Sequence, residues 1–237
     1  MEALFPPAAP EGRPPVSVAE GLWVFPPNRE TKGGSAWLLQ SDGCTVLVDL
    51  PALNAVTIDW LQHRGGVAAG ERRTWIVLTG RDGHGRCRAW QEALGWPVIV
   101  QEQEAYLLPS VRLESFSLEH RLAPGLDLLW TPGPSPGACV LHCHGGSAGD
   151  GLFCGRLLLP AGPGRLMPLR RRSTFHWPRQ LQSLERLRRW LPAGSPDWIA
   201  SGGGLGALRG EKRVGNGDSQ LASLDLSALA DQPVDGE

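Results

Sequence analysis

Short apolar runs separated by turn residues dominate the first fifty positions of the chain. The runs fill residues 21–25, 35–39 and 44–48. Gly33 and Gly34 lie between the first two runs, and Asp42 and Gly43 lie between the second and the third. Apolar runs of this length between turn dipeptides predict short β-strands joined by tight turns. The third strand is predicted to end at Asp49.

Helical and strand-length patterns then alternate. Leu53, Val56, Trp60 and Leu61 recur at helical spacing up to a stop at Gly65 and Gly66. Further along the chain, the pattern predicts a strand at 75–79, a helix over 87–94, a strand at 98–100 and a short helix within 101–108. This alternation is typical of an α/β arrangement.

The second half reads mainly as strands, followed by one long helix. Strands are predicted at 126–130, 138–142, 151–154 and 197–200, with helices at 178–191 and within 221–229. In the long helix, Leu181, Leu184 and Leu187 share one face, and Pro178 suits its first turn. We therefore expect one domain over residues 21–210, a disordered tail over 1–20, and a C-terminal tail over 211–237 that holds a short helix.

Overall charge and hydropathy exclude several classes of protein. The 237 residues carry a formal net charge of -1, so bulk attraction to nucleic acid or an anionic membrane is not expected. The first twenty residues lack a basic region followed by an apolar stretch, and every apolar run is too short to cross a bilayer. The sequence predicts a soluble cytoplasmic protein that has no membrane partner.

Cysteine and arginine usage changes little in this picture. The five cysteines are odd in number and never spaced as CxxC, which favours buried thiols over disulfides or a zinc knuckle. Only Lys32 and Lys212 among the 23 basic residues are lysine. Arginine clusters therefore indicate function less strongly than they would in a chain of ordinary composition.

Several short sequence segments, taken in their order along the chain, resemble those of the metallo-β-lactamase superfamily. They are the strand ending at Asp49, the Ile76-Val77-Leu78-Thr79 strand, the loop at 131–137 and the segment 152–156. The resemblance spans roughly residues 20 to 210 and implies a four-layer αββα sandwich. Strings at 22–31, 101–109 and 174–180 further resemble a branch of the superfamily found in photosynthetic bacteria. No defined reaction comes with either resemblance.

The resemblance also locates the positions that hold metal in active members. Their loop after the Leu-Thr strand reads His-x-His-x-Asp-His, and the same window here begins at Gly80. Gly80 and Asp82 replace the two histidines of the first zinc site. His84 and Gly85 stand in place of the aspartate and final histidine of the second.

The other expected ligands are replaced as well. Pro134 stands where the 131–137 loop would carry a metal histidine, and Arg156 stands where a bridging aspartate is expected. The last histidine would fall near Gly203, where there is none. A catalytic zinc needs about three protein ligands and an open position, which Asp82 and His84 alone do not supply.

Arg156 is therefore expected to occupy the vacated position and pair with Asp82, because a buried charge needs an opposite partner. The sequence predicts a noncatalytic scaffold or binding protein with no metal cofactor. Its partner would be a small anionic ligand or another protein.

Two alternatives remain open at this stage. In the first, Asp82 and His84 join His142 and His144, which share one face of a predicted strand, to hold zinc or iron in a divergent metallo-hydrolase. In the second, a basic-aromatic segment over 165–179 grips nucleic acid. That segment contains Arg165, Arg170, Arg171, Arg172, Phe175, His176, Trp177 and Arg179. We expect instead a solvated loop in which Trp177 covers the core.

Overall fold

The computed structural model describes residues 12–41, 43–65 and 72–234. Residues 1–11 of the predicted N-terminal tail lie outside this part of the chain, as do Asp42 and Gly66 of the predicted turn and helix stop.

Seven strands form the first sheet, in simple sequence order. They are β1 (Val16–Ala19), β2 (Leu22–Val24), β3 (Trp37–Ser41), β4 (Cys44–Val48), β5 (Arg73–Val77), β6 (Val98–Gln101) and β7 (Leu113–Phe116). The first four strands pair antiparallel, and the pairs from β4 to β7 are parallel. The parallel part brings the carboxyl ends of β4 and β5 to one edge of the sheet.

The second sheet has six strands, namely β8 (Glu119–Ala123), β9 (Leu126–Trp130), β10 (Cys139–Cys143), β11 (Gly151–Phe153), β14 (Trp198–Ala200) and β15 (Val214–Gly215). Their order across the sheet is β15-β14-β11-β10-β9-β8. A separate hairpin joins β12 (Leu159–Gly162) to β13 (Arg165–Met167). The pair β11 and β14 is parallel, and its neighbours are antiparallel.

Helices cover the outer faces of both sheets. They are α1 (Ala55–Gly65), α2 (Cys87–Leu94), α3 (Glu102–Ala105), α4 (Trp177–Trp190), α5 (Gly217–Ala222) and α6 (Leu226–Ala230). Short 3-10 helices lie at Arg81–Gly83 and Leu205–Leu208. Pro178 stands in the first turn of α4, and the His176 ring accepts a hydrogen bond from the Arg179 backbone N–H at its start.

Alternating side chains divide the core into three apolar layers. In β4, Val46 points between the two sheets, whereas Leu47 points toward α1 and α2. In β10, Leu141 points between the sheets and Val140 packs toward α4. The layers therefore run helix, sheet, sheet, helix, which confirms the predicted αββα sandwich.

Two segments assigned to tails by the sequence form regular structure. Val16–Ala19 is β1, which pairs with β2 and completes the edge of the first sheet. Val214, Leu221 and Leu224 are buried in the layer that covers α4. The strand at Val16–Ala19 and the burial of Val214 fall outside every element that the sequence pattern predicted, so only the packing reveals them.

Two predicted helices differ in extent. The helix expected within 101–108 is only the single turn α3. The helix expected within 221–229 is split into α5 and α6, because the Asp225 carboxylate accepts hydrogen bonds from the backbone N–H groups of Ser227 and Ala228 and starts a new helix.

All five cysteines are buried free thiols, as predicted. Burial raises the pKa of Cys87, Cys143 and Cys154 to about 12, so these thiols stay protonated near neutrality. Within the described ranges, no helix has both the length and the apolar character needed to span a membrane.

Candidate functional site

Asp49 stands at the edge of the first sheet, directly after β4. Its backbone adopts a left-handed conformation with φ of 55°, which aspartate tolerates better than most residues. The side chain is buried, and both of its oxygens accept hydrogen bonds from Thr79. The Thr79 backbone N–H donates to Oδ1 at 2.8 Å, and its hydroxyl donates to Oδ2 at 2.6 Å. This pairing ties the ends of β4 and β5 together.

Burial raises the pKa of the Asp49 carboxyl to about 6, because the ionised form loses contact with water. The Thr79 hydrogen bonds and the charges of Arg156 and His84 act in the opposite direction and limit the rise. Asp49 therefore titrates close to the physiological range.

Gly83 is required beside this carboxylate. A Cβ added at this position would overlap Asp49 Oδ1, so a larger residue fits only if the Asp49 side chain or the backbone shifts. The Gly83 carbonyl also accepts a hydrogen bond from the Leu50 backbone N–H at 3.2 Å. The 3-10 turn from Arg81 to Gly83 is thus packed directly against the end of β4.

Asp82 lies between two cations. Its Oδ1 is 2.7 Å from Lys32 Nζ, and its Oδ2 is 3.5 Å from Arg156 Nε. The Arg156 Nη2 group donates to the carbonyl oxygen of Thr31 at 2.8 Å and to that of Lys32 at 3.4 Å. The pairing of Arg156 with Asp82 expected from the sequence is therefore present, and Lys32 joins it. We call Lys32, Asp82 and Arg156 the ion-pair cluster.

His84 turns toward a different partner. Its Nε2 is 3.3 Å from Glu104 Oε2, and both side chains are almost fully buried. The other oxygen, Glu104 Oε1, accepts a hydrogen bond from the Gly137 backbone N–H at 3.0 Å. His84 and Asp82 are two residues apart in sequence but have separate partners in the structure.

The remaining motif positions lie around the same edge. Gly80 and Pro134 line the small cavity described below, whereas Gly203 does not and Gly202 takes that place. Gly85 has φ of 44° and packs near Leu50. Two of these positions thus line one cavity, and at the last position the lining residue is Gly202 in place of Gly203.

A cavity of about 20 Å³ lies beside the ion-pair cluster. Asp49, Thr79, Asp82 and Arg156 contribute to its wall, as do Ser35 and Ser135. The hydroxyls of Ser35 and Ser135 are buried and have no hydrogen-bond partner among the described residues. A cavity of this size has room for about one water-sized group, which would satisfy such hydroxyls.

The residues at this edge do not fit a catalytic zinc. Both oxygens of Asp49 are engaged by Thr79, Asp82 is held by two cations, and His84 faces Glu104. Across the described part of the chain, no group of three or more His, Cys, Asp or Glu residues could hold a metal ion. A four-ligand or three-ligand site of the usual kind therefore has no donor set here.

His142 and His144 lie elsewhere, in a second and larger cleft of about 510 Å³. Their rings are 5.2 Å apart, so they share one face of the strand as predicted. Asp82 and the histidine pair line different cavities, and no group of three or more His, Cys, Asp or Glu residues among those described could hold a metal ion. The structure therefore gives no support to the suggested metal site of Asp82, His84, His142 and His144.

His142 instead belongs to a cluster that the sequence did not reveal. Asp150 Oδ1 is 2.7 Å from His142 Nε2, and the Ser195 hydroxyl is 3.0 Å from the same nitrogen. The Ser195 hydroxyl also donates to Asp150 Oδ1 at 2.9 Å. Ser195 lies 53 residues from His142, so no local spacing could have indicated this contact.

This Ser-His-Asp cluster is not arranged for nucleophilic catalysis. A catalytic histidine receives the serine proton on one ring nitrogen and is oriented by a carboxylate at the other. Here both partners meet the same nitrogen, and the carboxylate itself accepts from the serine. The cluster therefore ties β10 to the segment before β14 and leaves the serine hydroxyl without a separate base.

The basic-aromatic segment divides into exposed and buried parts. Trp177 is buried, and its indole N–H donates to the Leu229 carbonyl at 3.0 Å, so it covers the core as expected. Arg170 donates to the Gln232 carbonyl at 2.9 Å. Phe175, at 46%, and His176 are the exposed rings of the segment, and their centroids are 6.2 Å apart. The segment thus offers less stacking surface than its sequence indicated.

No protein-family model and no curated protein sequence matches the chain. Solved structures similar to it include VMB-1, 13% identical over 94% of this chain and 100% of that one, with a TM-score of 0.68. A B3 metallo-β-lactamase with an active-site glutamic acid is 17% identical, covers 89% of this chain and 86% of its own, and has a TM-score of 0.59. The B3 metallo-β-lactamase BLEG-1 is 19% identical over 84% and 95%, with a TM-score of 0.58. The chain therefore has the metallo-β-lactamase fold.

Proposed function

We propose that this protein is a noncatalytic scaffold or binding protein of metallo-β-lactamase fold, in which the ion-pair cluster takes the place of zinc. The observation that carries the proposal is the position of Arg156. Its guanidinium lies 3.5 Å from Asp82 and is held by the Thr31 carbonyl at the edge where related folds would bind metal.

Electrostatics support this assignment. Two unit charges 4 Å apart at a partly buried site interact by about 4 kcal/mol, so a dication beside Arg156 would be repelled by roughly twice that amount. Asp82, the nearest carboxylate able to offset the repulsion, is already neutralised by Lys32 and Arg156. In the ion-pair cluster, Lys32 and Arg156 therefore supply the positive charge that a metal ion would otherwise bring.

The small cavity supports a polar ligand no larger than a few atoms. Arg156 supplies a positive charge at its wall, and Ser35 and Ser135 supply hydroxyls that lack partners within the described residues. An organic substrate would need far more room than about 20 Å³. A water molecule or a small anion fits, and a larger partner would bind to the exterior.

Metal analysis tests the proposal directly. The full chain is expressed in medium supplemented with zinc and iron, purified without chelator, and assayed by inductively coupled plasma mass spectrometry. We expect metal well below one equivalent per chain. We also expect the same low content in the double variant Asp82→Asn with His84→Gln, because neither side chain serves as a ligand in the proposed site.

A tightly bound equivalent of metal that disappears in this double variant would overturn the proposal. The matched double variant His142→Gln with His144→Gln tests the other histidine cleft. A bound metal lost only in that variant would also contradict the noncatalytic assignment and would place a metal site on β10.

A further inference from the structure

A basic cleft of about 380 Å³ lies on the outer surface of α4, away from the ion-pair cluster. Arg179, Gln182, Arg186 and Arg189 line it from the helix, and Trp130 at the end of β9 forms the opposite wall. Residues spaced by three, four and seven positions share one side of a helix, which explains why these side chains converge. Among the described residues that line the cleft, none is acidic.

Arg186 is fixed at the centre of the cleft. Its guanidinium carbon lies 5.6 Å from the centroid of the Trp130 ring, a cation–π arrangement. Trp130 is itself held, because its indole N–H donates to the Pro136 carbonyl at 2.8 Å. The guanidinium is therefore oriented before any ligand arrives, which lowers the ordering cost of binding.

The donors of Arg186 are poorly satisfied. Its Nε and Nη2 atoms are buried, and neither has a hydrogen-bond acceptor among the described residues. Burial lowers the pKa of Arg186, and the charge of Glu119 offsets that effect only in part. A partly buried cation whose donors lack acceptors is costly to keep charged, so an anion held in the cleft beside the guanidinium would be favoured.

Arg179 and Arg189, at the rim of the cleft, carry positive charges that a ligand can use. Arg179 is exposed. Arg189 pairs with the Glu185 carboxylate at 4.0 Å and donates from Nε to the Glu185 carbonyl at 3.4 Å, and both contacts are solvent-exposed. Exposed pairs of this kind contribute little, so Arg189 can turn toward a ligand at small cost. Three guanidinium groups around one cleft match a ligand that carries more than one negative charge on several oxygens.

We propose that this cleft binds a small phosphorylated ligand, with Arg186 as its central contact and Arg179 and Arg189 at its rim. The phosphoryl oxygens accept from the guanidinium groups, and Gln182 offers an amide to the rest of the ligand. The site shares no residue with the ion-pair cluster or with Arg171 and Arg172, the exposed arginines of the loop before α4.

The test measures binding of adenosine 5′-monophosphate, inorganic phosphate and adenosine to the full chain by isothermal titration calorimetry at low ionic strength. We expect both phosphate-bearing probes to bind and adenosine not to bind. Arg186→Gln should weaken binding at least about tenfold, which is the loss expected for one charge-assisted contact. Arg172→Gln removes an equal charge from the exposed loop and should leave the affinity within about twofold.

A second variant keeps the proposal testable if Arg186→Gln does not fold. Arg179→Gln with Arg189→Gln changes only the exposed rim and should also weaken binding at least about tenfold. Equal binding by wild type and both cleft variants would overturn the proposal, as would adenosine binding as tightly as its monophosphate. Affinity for a single-stranded oligonucleotide without affinity for the monophosphate would assign the surface to nucleic acid and would equally refute it.

Discussion

Replacing Asp49 by asparagine should remove the pH dependence that this buried carboxyl gives to folding. Asparagine is nearly isosteric, and it can keep both contacts with Thr79 by accepting from the backbone N–H and donating to the hydroxyl oxygen. The variant removes only the ionisation. Its stability relative to wild type therefore reports the electrostatic cost of burying Asp49.

The magnitude follows from the pKa, which rises from 3.8 to about 6 on folding. Each unit corresponds to about 1.36 kcal/mol, so the shift amounts to about 3 kcal/mol. Because the folded pKa is raised, the favourable contribution is complete below the unfolded pKa and is lost as the pH rises through about 6. The Asp49→Asn variant should thus gain about 3 kcal/mol over wild type between about pH 4 and pH 7.5.

Urea unfolding followed by circular dichroism at several pH values measures this difference. Subtracting the two unfolding free energies at each pH cancels the titration of all other groups. Leu118→Ala, at a 55% exposed site without a titratable group, is the control, and its difference from wild type should not change with pH. A constant difference between wild type and Asp49→Asn across the range would refute the reasoning, and so would a gain that appears at low pH.

Two further predictions concern packing. Gly83→Ala should lower the free energy of unfolding by about 1–3 kcal/mol, because the added Cβ overlaps Asp49 Oδ1; a loss under about 0.5 kcal/mol in urea titration would show that the turn can shift freely. Leu184→Ala, at a fully buried site on α4, should cost about 2–5 kcal/mol by the same assay, whereas Leu118→Ala, 55% exposed, should change stability by less than about 0.5 kcal/mol. Similar losses in the two leucine variants would contradict the assigned layers.

The family resemblance implied the layers of the fold, and the sequence pattern predicted many of its strands and helices because burial leaves a local signature. Leu181, Leu184 and Leu187 repeat at helical spacing, and β4 and β5 are nearly continuous apolar runs, as expected of strands covered on both faces. The resemblance then placed Asp82 and Arg156 at one edge, and the structure confirms that they pair.

Other features had no local signature. The strand at Val16–Ala19 has only four residues and two exposed side chains, so its pairing with β2 identifies it and its own pattern does not. The break between α5 and α6 depends on the Asp225 side chain, which caps the start of α6. The apolar residues run on through this point in the sequence, so their pattern predicts one continuous helix.

The sequence by itself predicted most strands and helices in their order, and its resemblance implied the αββα layers and the replacement of the expected metal ligands. Only the tertiary structure decided which charges meet: Arg156 reaches the Thr31 carbonyl 125 positions away, and Ser195 reaches His142 across 53. The physical reason is that periodicity fixes the face on which a side chain lies, whereas its partner depends on sheet register and packing between distant segments.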